Sequence, residues 1–162
     1  MILWITGLPC SGKTTIAEKL ARKLDVELLD GDALRNSPFS QGIGFSKEER
    51  EQHLLRVGYL AKRLSKHKDV VCSFVSPFEE TRQKLPIDIL VYLKCPAEVC
   101  EQRDVKGMYK KARNGQIANF TGVDAPYEEP LAPSITLDTS VLTINECVQK
   151  ILDMIPVVDY CI

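Results

Sequence analysis

No stretch of this 162-residue chain approaches the ~18 consecutive apolar residues that cross a bilayer as a helix, so no membrane association is expected. An excess of one charge is missing too. With a formal net charge of −1, the chain presents no global field for nucleic acid or an anionic surface. Its six cysteines form no C-x-x-C pair, and Cys72, Cys95 and Cys147 lie in apolar stretches where a thiol acts as a small hydrophobe. A disulfide framework is therefore not expected. Met1 to Thr6 reads as a strand with no basic leader before it, so no secretory signal is expected and a reducing cytoplasm is the expected compartment. Also absent are internal repeats, a dividing linker and an N-K-x-D segment that would select guanine. The expectation is one domain over residues 1–162 that is not a GTP-dependent switch.

What is present is an ordinary globular composition, 44% hydrophobic and 27% charged, arranged as alternating strands and helices. Short apolar runs at 2–6, 26–29, 70–75, 87–93 and 134–137 read as strands. Between them, apolar positions at helical spacing mark helices at 15–24, from Ser46 to about Ser65, at 81–84, and from Pro96 to near Arg103. Ser46 with Glu49, and Thr143 with Glu146, are capping boxes; the second opens a last amphipathic helix. Residues 36–46 read as a loop. The pattern predicts an α/β three-layer sandwich with a five-stranded parallel sheet.

Gly7-Leu8-Pro9-Cys10-Ser11-Gly12-Lys13-Thr14 matches G-x-x-x-x-G-K-[ST] in full and falls between a predicted strand and a predicted helix. The glycines let successive N–H groups turn inward as a nest for phosphates, and the following helix aims its positive end at the same anion. Lys13 is expected to reach the β- and γ-phosphates of ATP, and the Thr14 hydroxyl to ligate Mg²⁺. The expected nucleotide contacts are residues 7–14 together with Thr15 and Arg103. The motif alone does not separate a kinase from other ATPases.

Further segments are more specific. Leu29-Asp30-Gly31-Asp32 followed by Arg35, Gly44-Phe45-Ser46 with Arg50, and Ser73-Phe74-Val75-Ser76-Pro77-Phe78 stand in order along the chain. A longer stretch runs from Cys100 through Arg103-Asp104-Val105-Lys106-Gly107 to Arg113, and continues as Asn119-Phe120-Thr121-Gly122-Val123-Asp124 to Glu128. Together these resemble the adenylylsulfate kinases, a family of P-loop kinases. The resemblance implies transfer from MgATP to the ribose 3′-hydroxyl of adenylyl sulfate, with a homodimer possible. It assigns Lys13, Asp32 and Ser76 to the catalytic centre, with Asp32 accepting or orienting the hydroxyl proton. It also implies that Arg35 and Arg50 hold the acceptor's anions, that Phe45 and Phe120 stack on its base, and that Val75, Ser76, Lys106 and Asn119 line its site.

Several residues keep a second reading. Asp30 and Asp32 can instead serve Mg²⁺ through water or simply end a strand in a D-G turn, and Phe45 can pack in the core. Ser76 has no adjacent His or Lys to activate it as a nucleophile, so a substrate contact is the simpler role. Lys106, Lys110 and Arg113, spaced i, i+4, i+7, would share one face of a helix, either solvated or part of a lid spanning about 104–133.

The chain departs from the family at His53 (usually Asn), at Leu55 (usually Arg) and across Asn36 to Gly42, which lacks the usual Gly-Leu-Asn pattern. These departures lie on the acceptor side. His53 can replace the Asn toward the acceptor, become a cation below pH ~6.5, or have no ligand role. They keep open the same chemistry on another nucleotide, such as cytidine diphosphoramidate. Shikimate- or gluconate-type kinases and a silent binding module are the remaining classes.

Overall fold

The structure, a computed structural model, describes residues 1–155. In chain order its elements are β1 (Ile2–Gly7), α1 (Lys13–Leu24), β2 (Glu27–Asp30), α2 (Gly31–Arg35), a 3-10 turn at Pro38–Ser40 and α3 (Lys47–Leu64). They continue as β3 (Val70–Ser73), α4 (Glu79–Gln83), β4 (Ile89–Lys94), α5 (Ala97–Gln102), α6 (Met108–Arg113), β5 (Ile135–Asp138) and α7 (Ile144–Met154). The strands form one parallel sheet in the order β2-β3-β1-β4-β5.

The unbroken apolar run of β1 follows from its central place, because helices cover both faces of the sheet. Successive side chains alternate faces. Leu3 and Ile5 pack with Ile16, Ala17 and Leu20 of α1 and with Cys147, Val148 and Ile151 of α7. Ile2 and Trp4 pack on the other face with Leu54, Val57 and Ala61 of α3. A parallel sheet of this kind gathers its loops at the carboxyl ends of the strands, and the phosphate loop and Asp30 both stand there.

Both capping boxes form as expected, with side chain and backbone bonded reciprocally at Ser46/Glu49 and Thr143/Glu146. Three readings need correction. Asp30-Gly31-Asp32 does not merely stop a strand; Asp30 caps α2, its Oδ1 accepting from the N–H groups of Asp32 and Ala33. β4 begins at Ile89 rather than residue 87, because the Ile87 N–H turns back to the Leu85 carbonyl. The basic triad at 106, 110 and 113 shares no helix face. Gly107, with φ 65, starts α6 after Lys106, and Arg113 forks onto Glu101 at 2.7 Å.

Cys10, Cys72, Cys95, Cys100 and Cys147 are free thiols, and Cys161 lies outside the described residues. Among the described residues no helix is long and apolar enough to cross a membrane.

Candidate active site

The phosphate loop is built by close approach. A Cβ on Gly7 would come within 2.6 Å of the Leu93 carbonyl, so only glycine lets the loop leave β1 beside β4. Cys10 (φ 63) and Gly12 (φ 97) take left-handed backbone angles that curl the loop onto the start of α1. Lys13 is buried and donates from Nζ to the Leu8 carbonyl at 2.6 Å; burial lowers its pKa to about 8. Tyr109 of α6 donates to the Pro9 carbonyl at 3.0 Å. Ser11 offers its carbonyl to the Thr139 hydroxyl at 2.9 Å. Arg103 braces that Thr139 at its carbonyl, 2.7 Å away, so in this state it supports the loop from behind. Thr14 and Thr15 are exposed at the mouth.

Across the mouth, Asp30 accepts from the Thr14 hydroxyl at 2.9 Å. A hydroxyl beside a carboxylate is a hard-oxygen pair that suits Mg²⁺ held mainly by phosphates and water. Among the described residues no cluster of three or more His, Cys, Asp or Glu can cage a metal alone. Asp32, two residues on, pairs with Lys106 at 2.8 Å, and that hydrogen bond raises the lysine's pKa. Asp104, at the foot of the same segment, takes the Tyr109 N–H at 2.7 Å.

Arg50 joins the two aromatic loops. Its Nε donates to the Phe45 carbonyl at 2.8 Å, Nη1 to the Thr121 hydroxyl at 3.1 Å, and Nη2 to the Asn119 carbonyl. Phe45 is 55% exposed, which excludes core packing, and the guanidinium carbons of Arg35 and Arg50 lie 4.6 and 5.5 Å from its ring centre. Arg35 also holds the loop's backbone, donating to the carbonyls of Ile43 and Gly44 at 3.1 and 2.9 Å. Phe120 lies edge-on to Tyr109 with ring centres 4.9 Å apart, and Asp124 receives the N–H groups of Asn119 and Phe120. Phe45 and Phe120 stand 75 positions apart in the sequence; one guanidinium spans their loops.

His53 is buried, between Phe39 and Phe74 at ring-centre distances of 6.1 and 6.2 Å. Ser40 gives its proton to the Leu34 carbonyl at 2.8 Å, so its oxygen is left to accept from His53 Nδ1 at 3.4 Å. Burial pushes the imidazole down to about 4, and Nε2 has no partner. Two departures from the family pattern thus pack on one another, Ser40 and Phe39 from the 36–42 segment against His53. Leu55 lines a cavity of about 850 Å³ on α3 with Arg56, Tyr59 and Arg63, and Phe39 borders the same cavity.

Ser76 has φ 43, is 1% exposed, and its Oγ accepts from the Trp4 indole at 2.9 Å. Val75 offers its carbonyl to the Thr6 hydroxyl at 2.7 Å. Sequence reasoning missed Arg82, buried at 3% exposure, and gave no role to Tyr127 and Glu128, which fix the chain's return from residues 104–126. An arginine among glutamates on a short helix gives no local signal of burial.

A sequence profile described as adenylylsulphate kinase matches residues 1–138. An adenylyl-sulfate kinase of Gloeothece citriformis is 43% identical over 168 residues, covering 98% of this chain and 95% of the relative. The chain belongs to the adenylylsulphate kinase family. A probable adenylyl-sulfate kinase of Halalkalibacterium halodurans is 46% identical over 163 residues, covering 93% of this chain and 80% of that one. Among solved adenylylsulphate kinases, the Mycobacterium tuberculosis enzyme in complex with AMPPNP and APS superposes with a TM-score of 0.87 at 35% identity, over 94% of this chain and 95% of that one. Shikimate kinase of Aquifex aeolicus, at 18% identity and a TM-score of 0.53, shares the fold alone.

Proposed function

We propose that this adenylylsulphate kinase transfers the γ-phosphoryl group of ATP to the ribose 3′-hydroxyl of adenylyl sulfate, giving ADP and 3′-phosphoadenylyl sulfate. The observation that carries this reading is the Asp30–Asp32 turn. One carboxylate holds Thr14 at the phosphate loop, and the other holds Lys106 of the segment over it, at 2.9 and 2.8 Å. The phosphate loop and the Lys106 segment are therefore tied to one three-residue turn, Asp30–Asp32.

The chemistry asked of the protein is placement and charge neutralisation, because the γ-phosphoryl passes through a loose transition state. Lys13, released from the Leu8 carbonyl, neutralises the β- and γ-phosphates. Asp32 accepts the hydrogen bond of the attacking hydroxyl and takes its proton as the new O–P bond forms. Lys106, already beside Asp32, meets the charge that develops as the bond to ADP breaks. Thr14 and Asp30 would hold Mg²⁺, which would supply positive charge that offsets the negative charge of the phosphates. Arg35 and Arg50 supply forked donors for the acceptor's phosphate and sulfate, and Phe45 and Phe120 the planes for its base. Ser76 serves as a wall of the acceptor site. It is 1% exposed and no His or Lys stands beside it in sequence to activate it, so the reading takes transfer as direct, without a phosphoserine.

ADP release measured with adenylyl sulfate, AMP, cytidine diphosphoramidate, shikimate and no acceptor tests the reading. Turnover is expected to be fastest with adenylyl sulfate and to vanish with shikimate. Faster turnover on cytidine diphosphoramidate would transfer the chemistry to that acceptor, and acceptor-independent release would overturn it.

A further inference from the structure

Arg82 is the most heavily bonded buried charge outside the transfer site. Its side chain is 2% exposed. Nη1 donates to the Ser76 carbonyl at 2.6 Å and Nη2 to the Glu128 carbonyl at 2.6 Å. Glu79 neutralises it, receiving Nε at 3.1 Å and Nη2 at 2.7 Å. Its guanidinium carbon lies 5.8 Å from the Tyr127 ring centre. Burying a cation is costly unless every donor is used, and a planar fork that reaches two carbonyls and a carboxylate at once is a task for arginine rather than lysine.

The two carbonyls belong to different parts of the site. Ser76 holds a left-handed backbone angle, φ 43, which a residue with a Cβ keeps only where surrounding contacts over-determine it. Those contacts are Arg82 on its carbonyl and Trp4 on its hydroxyl. Glu128 lies where the chain returns from the 104–126 segment. Its N–H donates to the Pro77 carbonyl at 2.8 Å, and its carboxylate accepts from the Glu79 N–H at 2.7 Å. Beside it, Tyr127 stacks on Tyr92 at 6.0 Å and meets the Thr6 hydroxyl at 2.9 Å. Since Thr6 gives its own proton to the Val75 carbonyl, Tyr127 is the donor. Thr6 is the residue before the phosphate loop.

We infer that Arg82 is a positioning residue for phosphoryl transfer, locking the lid's returning stem at 127–128 to the Ser76 turn so that lid closure and the acceptor's seat stay in register. This rests on the kinase reading above. The other stem is tied separately, by Arg103 on Thr139, so Arg82 is the tie between the returning stem and the Ser76 turn, while Tyr127 ties that stem to Thr6 before the phosphate loop.

The test compares Arg82→Lys, Tyr127→Phe and Glu128→Ala with wild type, using whichever acceptor wild type turns over fastest. A wrong acceptor assignment then shows in wild type, and a wrong role for Arg82 shows only in the ratio of variant to wild type. Arg82→Lys is expected to raise the acceptor KM at least tenfold while leaving the Kd for MgATP alone within twofold. Chymotrypsin cleavage after Phe120 in the 114–126 loop should stay fast when both substrates are bound, where wild type becomes protected. Tyr127→Phe and Glu128→Ala keep the buried arginine and the Glu128 carbonyl it binds, and free the same stem at the Thr6 hydroxyl and the Glu79 N–H instead; both should raise the acceptor KM a few-fold even if Arg82→Lys does not fold. An unchanged acceptor KM in all folded variants, or equal losses in KM and MgATP affinity, would overturn the inference.

Discussion

Lys13 is buried with its ammonium on the Leu8 carbonyl, and burial lowers its pKa to about 8, so the charge that meets ATP is lost within a measurable range. The protonated form binds the triphosphate. The Kd for MgATP is therefore expected to rise about tenfold between pH 7 and pH 9, and calorimetry should find that rise much reduced in Lys13→Arg, whose guanidinium stays charged. His53 titrates in the opposite range. Its imidazole is held at about 4 when folded, against ~6.5 unfolded, so below ~6.5 the unfolded chain takes up a proton that the folded one refuses. Its stabilising contribution is complete above pH ~6.5 and is lost as the pH falls toward 4. Urea melts should show about 2 kcal/mol lost at this site between pH 7.5 and 5. His53→Gln should flatten that slope; an unchanged slope would mean that other groups govern it. At this scale the phosphate loop was legible because phosphate geometry dictates a contiguous motif. Arg82 and the Ser76 backbone angle were not, since each depends on partners dozens of residues away.

α3 shows how an element's end organises a site. Ser46 caps it through the Glu49 N–H, while the Glu49 carboxylate returns to the N–H groups of Ser46 and Gly44, which lowers its pKa. The same cap thus holds the backbone beside Phe45. Ser46→Ala is expected to cost about 1 kcal/mol in thermal or urea unfolding and to raise the acceptor KM, with MgATP affinity unchanged. A stability loss without a KM change would detach the cap from the acceptor loop. The capping boxes could be read from four adjacent residues. By contrast, α2 was hidden, since a D-G pair reads as a turn until Asp30 is seen to accept two N–H groups. The basic run at 106–113 misled because helical spacing presumes one helix, and Gly107 ends that continuity.

For the whole molecule, alternation of strands and helices was enough to predict a covered parallel sheet, because β1 is apolar on both faces. The pairings of Asp32 with Lys106 and of Arg50 with Asn119 and Thr121 could not be read locally, since no local pattern encodes contacts across about 70 positions. Ligand binding should stabilise the fold by mass action. MgATP at 100 times its Kd contributes about 2.7 kcal/mol, a rise in Tm of roughly 5–10 °C that Lys13→Ala should largely abolish. The central claim is that the Asp32 carboxylate, held by Lys106 beside the phosphate loop, receives the acceptor's proton. Steady-state turnover of Asp32→Ala at saturating substrates, together with its Kd for MgATP, tests it most directly. The account predicts a kcat lower by about 10²–10⁴ with MgATP affinity within twofold of wild type. A wild-type kcat, or a loss explained entirely by weakened MgATP binding, would contradict it.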